Sequence, residues 1–250
     1  MRKTTRLVCT ESPGSLTFEV QDIPAISAAA HAKGALVMTD NTWSAGLYFQ
    51  PFAHGVDISV QAATKYIVGH SDAMLGAITL ASEEHWQLVK TTAVKLGLCA
   101  GPDDCYLGQR GIRTLAVRLA RHQENALKLA RWLQGRPEVA RVVHPALPQD
   151  PGYRLWKRDF TGASGLFGVM LRPFPKEAVD AFIDALELFG LGYSWGGYES
   201  LIVPAHPEDA RSAVPWQVAG PYLRLHAGLE DSADQIADLE RGFAALHKAA

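Results

Sequence analysis

The stretch QAATKYIVGHSD, residues 61–72, places one lysine between a predicted strand and a turn. The preceding residues, GVDISVQA, alternate apolar and polar side chains, which predicts a β-strand that ends just before Lys65. The residues that follow, VGHSD, are rich in turn formers. Because α/β proteins bind ligands at the carboxyl ends of their strands, the Lys65 amine is a candidate for chemistry there, although a solvated surface position is the commoner fate of a single lysine.

Three further side chains have types that suit chemistry around such a lysine. A lysine that forms a Schiff base with pyridoxal phosphate needs a carboxylate at the ring nitrogen, donors at the phosphate and a cation for the substrate carboxylate. Asp40 ends the apolar strand ALVMTD, and Thr64 offers a hydroxyl next to the lysine. Arg224 lies inside the apolar strand YLRLHAG, where a buried guanidinium needs an anion. Taken singly, each residue has an ordinary explanation. Asp40 before Asn-Thr is more often a turn residue, Thr64 is compatible with an ordinary strand position, and Arg224 is compatible with a strand edge that faces solvent.

Composition excludes several classes of protein. The 250 residues are 48% hydrophobic, enough for a sizeable core, and 24 basic against 26 acidic residues leave no basic stripe for nucleic acid or for a membrane surface. We found no apolar run long enough to span a bilayer and no signal peptide. Three cysteines without a C-x-x-C pair predict reduced thiols in a cytoplasmic protein, and the nine histidines lack metal-ligand spacing.

The order of the predicted elements indicates an α/β fold in two parts. From residue 6 to about residue 80 strands alternate with helical segments, which predicts a parallel sheet with crossover helices. Residues 99–111 contain turn formers, and a long amphipathic helix follows them up to Gly135. The remainder predicts a smaller α+β unit. We place the boundary near residue 112, with residues 1–112 in a large domain and residues 113–250 in a small C-terminal domain.

Several motifs together resemble one known family. ESPGSLTFEVQDIPAI, TDNTW, ATKYIVGHSDAMLGA, SWGGYESLI and RLHAGLED occur in the order found in the pyridoxal-phosphate-dependent transsulfuration enzymes, with GIRTLAVRL and HPALP between them. Each motif alone is modest, but the ordered set is specific. The resemblance implies the aspartate-aminotransferase-like fold of type I, in which a mostly parallel sheet domain precedes a C-terminal α+β domain. It also implies a homotetramer built from two dimers that share their active sites.

The resemblance also assigns roles to individual residues. It implies that Lys65 binds pyridoxal 5'-phosphate covalently and acts as the base, that Asp40 pairs with the pyridine nitrogen and that Thr64 contacts the phosphate. The substrate side is implied to consist of Ser194, Trp195 and Arg224, of which Arg224 binds the α-carboxylate. The implied reaction is β-elimination of cystathionine to homocysteine, pyruvate and ammonia, and the wording SWGGYES favours it over the γ-synthases and γ-lyases.

The sequence departs from the family in two ways. Ala62 stands where many members carry a serine, which puts one hydroxyl contact to the phosphate in doubt. Members also carry a segment ahead of ESPGS with a glycine-containing phosphate loop, a tyrosine stacked on the cofactor, and a tyrosine and an arginine donated across the dimer interface. We therefore expect this chain to correspond to the C-terminal part of such an enzyme. A non-catalytic remnant is the alternative, and a cofactor-free lysine aldolase, which leaves Asp40 idle, is a weaker one.

Overall fold

The first sheet carries the candidate lysine at the end of its third strand. The computed structural model describes residues 1–216 and 220–250. The sheet has the spatial order β1–β2–β3–β4, with strands Leu7–Glu11, Leu36–Asp40, Ile58–Ala62 and Gly76–Leu80. Strands β1 to β3 are parallel, as the alternation of strands and helices predicts, but β4 runs antiparallel to β3. The chain returns from β3 to β4 through the segment that contains Lys65, without a crossover helix, so its direction reverses.

Three helices accompany this sheet: α1 (Ile23–His31), α2 (Glu83–Lys95) and α3 (Pro102–Ile112). Most of residues 99–111, the stretch that contains turn formers, lies in α3. Its helical start has a proline at the first position and two aspartates in the first turn, both of which favour a helix N-terminus. Gly108 and Gly111 within the helix are buried, and they let α3 approach its neighbours closely.

The long helix predicted after this region is confirmed as α4 (Leu115–Gln134), which ends at Gly135. It buries apolar residues at helical spacing, among them Leu119, Leu129 and Leu133. The same face also buries polar side chains, and one of them is Arg118. The helix therefore brings a positive charge into the interior between the lysine segment and the second sheet.

The second sheet has the order β5–β6–β9–β8–β7, with strands Val139–Val143, Leu166–Leu171, Tyr222–His226, Leu201–Pro204 and Gly190–Leu191. Its helices are α5 (Tyr153–Asp159), α6 (Lys176–Asp184) and α7 (Ser232–Ala249). Phe167, Phe182 and Phe243 are fully buried between the sheet and α6 and α7. These two mixed sheets with flanking helices confirm the predicted α/β class, while the domain boundary near residue 112 stays a prediction. No helix in the described part of the chain is both long and apolar enough to cross a membrane.

Candidate active site

Lys65 lies in the turn directly after β3, where its amine contacts the second half of the chain. The Lys65 N–H donates to the Ala62 carbonyl at 3.0 Å, and its own carbonyl accepts from Gly69 N–H at 2.8 Å. The side-chain Nζ donates to Ser194 Oγ at 2.7 Å and lies 5.4 Å from the ring centroid of Trp195. Burial lowers the pKa of Lys65, and the charge of Arg224 lowers it further. The turn thus presents an amine biased toward its neutral, nucleophilic form.

The segment after β7 lies directly on the lysine backbone because it contains glycine. Gly196 has φ +87°, and a Cβ built there would lie only 2.8 Å from Lys65 Cβ and 2.9 Å from Lys65 Cα. The Gly196 N–H donates to His226 Nε2 at 3.2 Å, and the His226 Nδ1–H donates to the Glu199 carbonyl at 3.0 Å. A side chain at residue 196 would separate the two segments, so glycine is required for this close approach.

Asp40 is the last residue of β2 and is connected to the end of β3 through Thr42. Asp40 Oδ1 accepts from the Thr42 N–H at 2.8 Å and from the Thr42 hydroxyl at 2.5 Å, and Thr42 Oγ1 accepts from the Ala62 N–H at 2.9 Å. The second oxygen, Oδ2, accepts no hydrogen bond from residues 1–216 or 220–250. The carboxylate is therefore oriented by one oxygen and has the other available for a ligand.

The hydroxyl of Thr64 already has partners within the chain. Thr64 Oγ1 accepts from the Leu75 N–H at 2.8 Å and donates to the Leu75 carbonyl at 3.2 Å. A phosphate that accepted a hydrogen bond from the Thr64 hydroxyl would displace only the longer of these two bonds. The predicted phosphate contact of Thr64 is compatible with this geometry and stays a prediction.

Arg224 lies in β9 and is almost completely buried, with 4% of its surface exposed. Its Nη1 donates to the Ser15 carbonyl at 3.3 Å and its Nη2 donates to the Tyr193 carbonyl, while the guanidinium carbon lies 4.5 Å from the Tyr193 ring centroid. Within the described residues it forms no salt bridge. Burial lowers the pKa of this guanidinium, and the charge of Glu11, which lies beyond salt-bridge distance, acts against that shift. A buried guanidinium without a carboxylate in direct contact favours the binding of an anion.

The structure brings the predicted residues into one region, some in direct contact and others through intervening groups. Lys65, Ser194 and Trp195 are in direct contact, Arg224 is close enough for its charge to act on Lys65, and Asp40 is joined to the same strand end. Their roles in binding and catalysis stay predictions.

Sequence reasoning missed two structural contributors. His226 lies within the quoted motif RLHAGLED, but nothing in that motif indicates that its two ring nitrogens bridge Gly196 and Glu199. Ser71 lies in the predicted turn GHSD and donates to Glu199 Oε2 at 3.0 Å, which forms a second link between the lysine segment and the second half of the chain.

These residues fit pyridoxal phosphate and an amino-acid substrate. The half-buried amine of Lys65 suits the aldehyde of the cofactor, and the carboxylate of Asp40, with one unbonded oxygen, suits its pyridine nitrogen. The buried Arg224, which forms no salt bridge within the described residues, suits a substrate carboxylate. Comparison with protein families agrees, because residues 1–244 match the family described as Cys/Met metabolism PLP-dependent enzymes. The chain belongs to this family. The resemblance found in the sequence motifs and the implied fold class are thereby confirmed.

Relatives within the Cys/Met metabolism family align with nearly the whole of this chain. A putative cystathionine beta-lyase of Rhizobium johnstonii is 55% identical over 248 residues, which cover 98% of this chain and 62% of that relative. Cystathionine beta-lyase MetC of Escherichia coli is 47% identical, with 98% of this chain and 64% of the relative covered. The crystal structure of cystathionine gamma synthase from Xanthomonas oryzae pv. oryzae in complex with cystathionine superposes with a TM-score of 0.90 at 34% identity, covering 98% of this chain and 64% of that one. The chain thus spans less than two thirds of the length of these relatives.

Proposed function

We propose that this chain carries the reactive lysine of a pyridoxal-phosphate-dependent carbon–sulfur lyase that β-eliminates cystathionine. The observation that carries the proposal is the Lys65 amine, half-buried and hydrogen-bonded to the neutral Ser194 hydroxyl beside the cationic Arg224. The β-elimination is favoured over the γ-reactions because the relatives named cystathionine beta-lyase reach 55% and 47% identity, against 34% for the solved γ-synthase.

The cofactor and the side chains of the protein would contribute different parts of the reaction. Pyridoxal phosphate supplies an aldehyde that condenses with amines and a ring that accepts electrons from the substrate. Asp40, whose Oδ1 is held by Thr42, would pair with the ring nitrogen and keep it protonated. Lys65 would be the amine that holds the cofactor and, when free, the base that takes the α-proton of the substrate. Its lowered pKa favours the neutral form that both tasks require.

The remaining residues orient the substrate. Arg224 can hold the α-carboxylate in a two-pronged hydrogen bond, because its guanidinium is buried and has only carbonyl partners. Ser194 accepts the hydrogen bond of the lysine amine and so directs that amine, while Trp195 covers it with an aromatic face. The sulfur that leaves the β-carbon would take up a proton to become homocysteine, and hydrolysis of the remaining three-carbon fragment by water would release pyruvate and ammonia.

The first experiment tests covalent binding of the cofactor. Purified protein is incubated with pyridoxal phosphate, its absorption spectrum is recorded, and the product is reduced with borohydride and mapped by mass spectrometry. We expect one modified peptide, which contains Lys65, and we expect Lys65→Ala to lose it. The exposed Lys90 on α2 provides the matched control, since Lys90→Ala should keep the adduct. A folded protein that forms no adduct, or forms it equally at other lysines, contradicts the proposal and supports a non-catalytic remnant.

The second experiment tests the reaction and the assembly. Cystathionine should yield pyruvate by β-elimination, whereas 2-oxobutanoate would identify a γ-elimination. Lys65→Ala should lower turnover by at least about 10²-fold, the lower bound typical for loss of a general base. We further propose that the chain assembles as a homo-oligomer, which light scattering during gel filtration tests directly.

A further inference from the structure

Arg118 on α4 is a buried arginine whose hydrogen bonds all go to neutral oxygens. Only 7% of its surface is exposed. Nη1 donates to the Tyr66 carbonyl at 2.8 Å, and Nη2 donates to the Gly111 carbonyl at 2.8 Å and to the Ile67 carbonyl at 3.3 Å. Nε donates to Thr114 Oγ1 at 3.0 Å. Arg118 forms no salt bridge with any described residue. Its burial carries a desolvation penalty, and the groups it contacts in return are mainly backbone carbonyls.

Two of these carbonyls belong to the residues that immediately follow Lys65. The turn has little freedom on the side that faces Arg118: Gly69 has φ +73°, and a Cβ there would lie 1.9 Å from Arg118 Nη1. A Cβ at Gly111 would lie 2.3 Å from the Ile67 carbonyl oxygen. The guanidinium and α3 thus enclose the turn, and neither glycine position has space for a side chain.

The opposite side of the lysine is held by other segments. Leu75 pairs with the Thr64 hydroxyl, and Gly196 lies against the Lys65 backbone. Arg118 is therefore the side chain that restrains the turn from the interior. Without its donors the carbonyls of Tyr66 and Ile67 would be buried without a partner, and the turn would reorganise to bring them to water.

We propose that Arg118 is a positioning residue for Lys65: its guanidinium fixes the Tyr66 and Ile67 carbonyls and thereby sets the lysine amine against Ser194 and Trp195. The inference rests on the proposed function in that Lys65 is taken to be the reactive amine. A lysine at position 118 keeps the charge but loses the planar array of donors, so it should not hold the carbonyls together.

The test measures the reactivity of Lys65 in the protein without cofactor. Wild type and R118K are reductively methylated over a range of pH, and the rate at Lys65 is followed by peptide mapping, with exposed Lys90 as an internal reference. In R118K we expect the midpoint of the Lys65 pH–rate profile to rise toward that of an ordinary lysine, because the amine gains contact with water. We also expect the formation of the borohydride-trapped pyridoxal phosphate adduct to slow at least threefold. R121K, on the same helix with a partly exposed side chain, is the matched control and should leave both measurements unchanged.

A second variant allows the same test if R118K does not fold. Thr114 is exposed, so Thr114→Val should fold; it keeps Arg118 itself but removes the Nε acceptor, which loosens the guanidinium against the two carbonyls. It should move the same midpoint in the same direction by a smaller amount. An unchanged Lys65 profile in folded R118K, or in folded Thr114→Val if R118K does not fold, overturns the inference. Because the methylation needs no cofactor, a shifted profile in a protein that never forms the adduct would uphold the inference while the proposed function fails.

Discussion

Acid should destabilise this protein through histidines that burial keeps neutral, and His144 offers the cleanest case. Its ring is completely buried, Nδ1 accepts from the Ala146 N–H at 3.1 Å, and Nε2 has no hydrogen-bond partner among the described residues. Burial therefore lowers the pKa of His144 to about 4, from 6.5 for an exposed histidine. Protonation would place a charge in the core next to Phe167, whose ring centroid lies 5.8 Å away.

The pH dependence of the unfolding free energy follows from this difference. The folded pKa of His144 lies below the unfolded value, so the unfolded chain binds more protons as the pH falls below 6.5. The contribution to stability is complete above this pH and is lost as the pH falls toward 4. At pH 5 the linkage relation gives a loss of about 2 kcal/mol for this one residue. His122, with a pKa also lowered to about 4 by burial, adds a similar loss.

The assay compares urea unfolding near pH 7.5 and at pH 5 for wild type and His144→Asn. The asparagine side-chain oxygen can still accept from the Ala146 N–H, but the residue no longer titrates. We expect the variant to be less stable near pH 7.5, because its side chain is smaller, and to lose about 2 kcal/mol less than wild type on acidification. Exposed His206→Asn is the control and should retain the wild-type loss. An equal loss in His144→Asn and wild type would refute the reasoning.

Two further substitutions test the site itself. Gly196→Ala introduces a Cβ at a residue with φ +87°, 2.8 Å from Lys65 Cβ. We therefore expect the unfolding free energy to fall by at least about 1–2 kcal/mol and less adduct to be trapped at Lys65. A change below about 0.5 kcal/mol in urea unfolding would contradict the close approach. Arg224→Lys loses the two-pronged contact and should weaken binding of an amino-acid substrate by about 10- to 100-fold. The methyl ester of the same substrate should lose much less affinity, and equal losses for acid and ester would argue against a carboxylate contact.

The sequence alone allows the positions of single residues to be predicted better than the contacts between segments. Asp40 and Lys65 are found at the strand ends where alternation and turn formers predict them, because those signals are local. The antiparallel direction of β4 was missed because its connection to β3 contains no crossover helix, and α3 was missed although Pro102 and the two aspartates of its first turn are local signals of a helix start. Gly111 reads as a turn former, yet its role is to let α3 reach the Ile67 carbonyl. The contact between Lys65 and Ser194 likewise joins segments far apart in sequence, and only the resemblance to a family could indicate it.

The choice of hydrogen-bond partners explains why this site suits anions. Lys65, Arg118 and Arg224 donate only to hydroxyl and carbonyl oxygens, whereas other arginines in the described structure pair with carboxylates, as Arg136 does with Glu138 and Arg158 with Asp159. Neutral acceptors satisfy the N–H groups without cancelling the charge, so positive potential remains around the lysine. Burial is the larger cause of the lowered pKa of Lys65, and the charge of Arg224 lowers it further while it also attracts carboxylate and phosphate groups. The arrangement that activates the amine is therefore the same one that would bind its anionic ligands.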